Sequence, residues 1–148
     1  MEGLNQKVYD RATKLLLIRL HTVGELHRKL KQKGFLDSDI LPVIRRLEEL
    51  HFLDDRRFAE IFVDNLKRFK DWGYFGIRAK LHARQIPSGA ADAVLSEFFT
   101  LEDEIAVARK LAGKLERTQK ITYEKLARAL GSRGFRPEII NKILRRQD

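Results

Sequence analysis

The side chains best suited to catalysis are Asp54, Asp55 and Glu60. Carboxylates are hard oxygen ligands, so this trio could hold magnesium for phosphodiester chemistry. A simpler reading needs no metal. Two aspartates ahead of an apolar-periodic run cap the free N–H groups of a starting helix and offset its dipole. The four histidines, His21, His27, His51 and His82, do not share the i, i+3 or i+4 spacing that would put two metal ligands on one helical face. They read as ordinary surface or interface histidines. Cysteine is absent, which excludes thiol catalysis, disulfides and Cys-based zinc sites. No phosphate-binding P-loop and no nucleophile elbow occurs. The expectation is therefore a protein that is not an enzyme and needs no cofactor or metal.

Chemistry of binding is better represented. The net charge is +9 and the pI about 10, which predicts attraction to polyanions, nucleic acid first among them. Gly73-Tyr74-Phe75-Gly76 has the spacing of a GXXG loop that clamps single-stranded RNA, but that loop needs a strand context the chain lacks. The plainer expectation is a flexible connector between helices, with Trp72 and Phe75 packed beneath it. Base stacking by Trp72, Tyr74 and Phe75 is the alternative.

These residues must be positioned by helices. Charged residues make up 34% of the chain and apolar residues 43%, with three prolines and few β-branched residues, a mixture that favours helix. The chain also repeats itself. Leu26, Leu30, Phe35, Ile40, Val43 and Ile44 match Ile77, Leu81, Ile86, Ala91, Val94 and Leu95. They match again Leu126, Leu130, Phe135, Ile140, Ile143 and Leu144. All eighteen positions are apolar, and the matches need no internal gap.

Each copy predicts a first helix, a second with apolar residues at i and i+4, a turn, and a third with a close apolar pair. Gly34 and Gly134 stand at the turn, where the left-handed conformation suits glycine. Capping-box spacing at Thr22/Glu25 and Thr100/Asp103, and helix starts near Ser88 and Pro137, complete the grammar. Nine helices are predicted, at 8–20, 22–33, 38–50, 55–71, 75–84, 88–99, 101–118, 123–133 and 137–146. The fold class is thus all-α, with three tandem three-helix repeats at 1–51, 52–99 and 100–148. Units this small must abut or stack, so an elongated, curved array is expected.

Alignment of the copies exposes a basic column. Lys33, Arg84 and Arg133 occupy one position in all three. Arg28 and Arg128 align with each other, as do Lys29 and Lys80, and Arg145 and Arg146 match the pair Arg45 and Arg46. Cations at the ends of second helices could follow a phosphate backbone or an acidic groove. Simple compensation of each helix dipole is the local alternative. Residues 101–148 hold twelve Lys and Arg against seven acids, so the third unit should supply most of the attraction. The helix–turn–helix rhythm also suggests a stand-alone DNA-binding protein, although no base-reading set with Asn or Gln is evident. No apolar run reaches membrane-spanning length, and a soluble, cytoplasmic monomer is expected.

Leu53-Asp54-Asp55-Arg56-Arg57-Phe58-Ala59, Lys70 through Gly73, Ile77 and Leu81 resemble the middle-repeat signature of the RecX family, and Leu26, Leu30 and Lys33-Gly34-Phe35 resemble its first repeat. The resemblance implies tandem three-helix units that modulate, and usually inhibit, the RecA recombinase. The implied partners are the RecA filament, whose groove the protein would occupy, and DNA, single-stranded and double-stranded. Filament growth, ATP hydrolysis and strand exchange would be hindered, placing the chain in recombination, repair and the SOS response. The signature residues Asp54, Asp55, Arg57, Phe58 and Ala59 would be mainly structural. Gln85 stands where the family pattern has glycine, which predicts a tighter or differently closed middle turn. Asn65-Leu66-Lys67 lacks the arginine expected there, with Arg68 beside it.

Overall fold

The computed structural model describes residues 3–145. These form nine helices: α1 Gln6–Ile18, α2 Val23–Gln32, α3 Asp37–Glu49, α4 Asp55–Phe69, α5 Tyr74–Ala83, α6 Ser88–Phe98, α7 Leu101–Thr118, α8 Tyr123–Ser132 and α9 Pro137–Arg145. No strand occurs among the described residues. The fold is an all-helical array of three-helix repeats. None of the described helices is long and apolar enough to cross a membrane.

The local signals act as their chemistry dictates. The Thr22 hydroxyl accepts from Glu25 N–H while the Glu25 carboxylate accepts from Thr22 N–H, and Thr100 with Asp103 repeats this exchange. Asp54 accepts from Arg57 N–H and so caps α4. Asp55 does something else: its Oδ1 accepts the Val23 N–H at 2.8 Å and caps α2 from outside. Pro137 opens α9, where its missing N–H costs no helical bond.

By compactness the chain divides into two units, Met1–Phe58 with Arg84–Ile86, and Ala59–Ala83 with Pro87–Asp148. In the first, α1, α2 and α3 pack on one another. Their core is Val8, Ala12, Leu26, Leu30, Ile40, Val43, Ile44, Leu47 and Leu53. In the second, α5 packs on α6, and α7, α8 and α9 pack together. Of the eighteen aligned apolar positions, fifteen are buried and only Phe35, Ile140 and Leu144 are half-buried. The repeat therefore records the core.

The middle turn corrects one expectation. Gln85 has φ +63°, the same left-handed sign as Gly34 at +94° and Gly134 at +79°. The turn takes the sign that glycine would give it, with a side chain present. That backbone costs a non-glycine residue about 1–2 kcal/mol. With its amide oriented so that nitrogen and oxygen each meet a partner, Gln85 donates to Gly24 O at 3.0 Å and accepts from Arg28 Nε at 3.1 Å, which offsets that cost. Gln85→Ala keeps the strain and loses both bonds, so it is expected to lower stability by about 1 kcal/mol or more in urea titration. Gln85→Gly relieves the strain it uncovers and should lie closer to wild type.

Candidate functional site

The described residues bury four polar or charged side chains: His21, Thr22, Glu25 and Glu104. All four sit where a turn docks on the N-terminus of a second helix. In the first unit, the turn Arg84–Ile86 meets the start of α2. Thr22 Oγ donates to Arg84 O at 2.7 Å. A side chain at Gly24 would lie 2.7 Å from Gln85 Cβ, so only glycine admits the approach. Glu25 is 4% exposed and is held by Arg84 Nε and Arg19, each at 3.0 Å. The Arg84 guanidinium also covers the Phe58 ring at 4.8 Å.

In the second unit the same device recurs with different chemistry. Gly73 N–H donates to Arg133 O and Phe75 N–H to Gly134 O, both at 2.9 Å. Gly73 corresponds to Thr22 and Arg133 to Arg84 in the repeat, so a backbone N–H replaces the hydroxyl. Glu104, fully buried, accepts from Tyr74 N–H at 3.0 Å, Arg136 N–H at 3.1 Å and Arg136 Nε at 2.7 Å. The Gly73–Gly76 segment is therefore not a flexible connector: its last three residues open α5, and its glycines admit a docked turn. Trp72 is half-buried, as expected, but Phe75 is 49% exposed, with its ring edge-on to that of Tyr74.

Burial works to raise the Glu25 carboxyl. The hydrogen bonds from Arg19, Arg84 and Thr22 N–H outweigh it and hold the pKa down to about 2 from 4.5. A carboxylate depressed in the folded state stabilises the protein above its unfolded pKa. That contribution, roughly 3 kcal/mol, is lost as pH falls from 4.5 towards 2. Urea titrations across this window should show a shallower pH slope for Glu25→Gln than for wild type; parallel slopes would contradict the assignment.

His21 is buried beside this cluster rather than on the surface. Its Nδ1 faces Arg19 O at 2.9 Å and its Nε2 faces Lys29 Nζ at 2.8 Å, which fits a neutral ring donating through Nδ1. Burial lowers its pKa, and the nearby Arg19 and Lys29 charges act in the same direction.

The cations expected to bind a polyanion fall into two groups. Arg28, Lys33, Arg128 and Arg145 are exposed, although Arg28 also meets the Gln85 amide. Lys29, Lys80, Arg84 and Arg133 have internal partners: His21 for Lys29, Glu25 and Phe58 for Arg84, and Trp72 for the other two. Lys80 Nζ lies 4.2 Å and Arg133 Cζ 4.9 Å from the centre of the Trp72 ring. Arg146 lies outside the described residues. The acidic trio does not assemble: among the described residues no three His, Cys, Asp or Glu side chains are grouped to hold a metal ion. Burial raises the Asp55 carboxyl against its bond from Val23 N–H.

A family model for the RecX first three-helix domain matches residues 9–47, and one for the RecX second three-helix domain matches residues 54–95. The regulatory protein RecX of Prosthecochloris aestuarii is 33% identical over 139 residues, spanning 94% of this chain and 92% of that protein. The chain belongs to the RecX family. The regulatory protein RecX of Chlorobaculum tepidum, also 33% identical, spans 97% of this chain and 90% of that protein. The crystal structure of RecX from Lactobacillus salivarius superposes with a TM-score of 0.87 at 25% identity over 95% of this chain and 94% of that one.

For this RecX-family chain the signature has a structural reading. Asp54 caps α4, Asp55 caps α2, Phe58 lies under Arg84 and Ala59 is buried, while Arg57 offers its N–H to Asp54 and stays exposed. Two residues central to the docking were not singled out by sequence. Glu104 resembles one more acid in the first turn of α7, and Arg136 one more cation before a proline. Nothing in their spacing announces that they meet.

Proposed function

We propose that this chain regulates a RecA-type recombinase by seating on its filament on single-stranded DNA, hindering filament growth, ATP hydrolysis and strand exchange. The observation that carries this reading is the match to regulatory proteins RecX over more than nine-tenths of the chain. The exposed cations on α2, α8 and α9 support it, because a filament on DNA is a long, regular polyanion. The decisive experiment is single-strand-dependent ATP hydrolysis by the cognate recombinase with added protein. A fall in rate is expected. No change at saturation, with no binding to the filament, sinks the reading.

The charge arrangement refines the test of direct DNA contact. Reversing Arg84 would set a second carboxylate against the buried Glu25, so its effect on binding would be confounded with unfolding. Lys33, Arg128 and Arg145 are the clean probes. Together, Lys33→Gln, Arg128→Gln and Arg145→Gln are expected to leave the melting temperature near wild type. They should reduce the salt dependence of single-strand binding, log Kd against log salt, by about 2 if all three meet phosphates. An unchanged slope would remove these residues from the interface.

A further inference from the structure

The ring of Phe75 stands edge-on to Tyr74 at 5.9 Å between centroids and leaves about half of its surface to solvent. Its backbone N–H is taken by Gly134 O, but its side chain projects from the first turn of α5. It lies between two surface grooves. One, of about 270 Å³, contains Phe75, Arg78, Ala79 and His82. The other, of about 360 Å³, has Trp72, Phe75, Ala79 and Lys80 on one side and Ser132 and Gly134 on the other. The larger groove falls within the size of small-molecule sites, about 300–1,000 Å³. Its surroundings are cationic: Lys80 and Arg133 both lie against the Trp72 ring.

We propose that this face of α5 is a stacking site for unpaired bases, with Phe75 the platform and Lys80 and Arg133 the contacts to the flanking phosphates. The chemistry selects a single strand. A duplex hides its base faces in the stack, whereas an unpaired base offers a π-face to an exposed ring. Cations beside an aromatic groove match a phosphate backbone that carries its bases inward. An apolar protein segment would gain nothing from the two cations. An acidic one would gain nothing from the ring. The site extends the regulatory reading, since a filament holds single-stranded DNA, yet its test needs no recombinase.

Trp72 is the chain's sole tryptophan and lines the groove, so its fluorescence reports the site directly. Titration of the full chain with oligothymidylate is expected to quench it. A duplex of equal phosphate number, or polyglutamate, should change it little at the same ionic strength. Phe75→Ala should weaken oligothymidylate binding roughly tenfold or more, read by anisotropy of the labelled strand, with the melting temperature unchanged. Phe75→Leu should behave like alanine and Phe75→Trp should restore affinity. Wild-type affinity in Phe75→Ala overturns the site, as does equal quenching by duplex or polyglutamate. A Phe75→Ala protein that loses only recombinase binding makes the face a protein contact and also overturns it. Intact oligothymidylate binding with no effect on recombinase ATPase would instead overturn the regulatory reading and leave the site standing.

Discussion

Replacing Glu104 with alanine is expected to cost about 3–5 kcal/mol of stability. Its side chain is wholly buried and answers three groups at once: two backbone N–H groups, from Tyr74 and Arg136, and the Arg136 guanidinium. Alanine removes the acceptor from all of them. Arg136, whose side chain is 21% exposed, keeps its charge with no buried counter-charge beside it. It retains the Tyr74 ring at 4.3 Å, which offsets little of the loss. In thermal unfolding this is expected to lower Tm by about 6–20 °C, since each kcal/mol shifts a chain of this size by about 2–4 °C. Trp72 lies in the same compact unit, so its fluorescence should follow the transition. Glu104→Gln should fall between the two proteins. Its carbonyl oxygen still accepts the N–H groups, but its amide turns two donors toward the Arg136 donors. A Glu104→Ala protein that melts with wild type would show that the carboxylate is dispensable to the docking.

That carboxylate illustrates which features the sequence makes legible. Core positions are readable because burial is periodic. A leucine at i and i+4 declares a face, and three aligned copies declare it three times. Hence all nine helices lie close to their expected bounds. Where the signal fails, two apolar residues are adjacent: α9 buries Ile139 more deeply than the aligned Ile140. Charge partners have no such period. Arg84 reaches Glu25 across 59 positions and Arg136 reaches Glu104 across 32, and either arginine resembles its exposed neighbours until the chain is folded. The basic column is the clearest case. Its members share a place in the repeat, but among Lys33, Arg84 and Arg133 only Lys33 is exposed, the two arginines being half-buried. Repeat position reports backbone geometry faithfully; it does not report what a long side chain finds within reach.

The two turn glycines carry this distinction into an experiment. Gly34 and Gly134 hold the same repeat position and both have positive φ, so backbone conformation alone would make them equally sensitive to substitution. A Cβ at Gly34 would meet nothing within 4 Å. Gly34→Ala therefore bears the left-handed backbone cost alone, about 1–2 kcal/mol. Gln85 shows that a side chain is accommodated at this conformation. A Cβ at Gly134 would fall on the backbone of Gly76 and Phe75, at the start of α5. Backbone cannot swing aside as the end of a side chain can. Relief requires the turn to move off α5, which breaks the bonds from Gly73 N–H to Arg133 O and from Phe75 N–H to Gly134 O. Gly134→Ala is expected to cost about 4 kcal/mol or more, the conformational term plus two lost hydrogen bonds and disturbed packing. Gly76→Ala should approach this from the other side, because its Cβ would fall on Arg133 O. Urea titrations of the two alanine variants settle the comparison. If Gly34→Ala and Gly134→Ala lose equal stability, close approach at the turn contributes nothing, and φ alone explains the glycines.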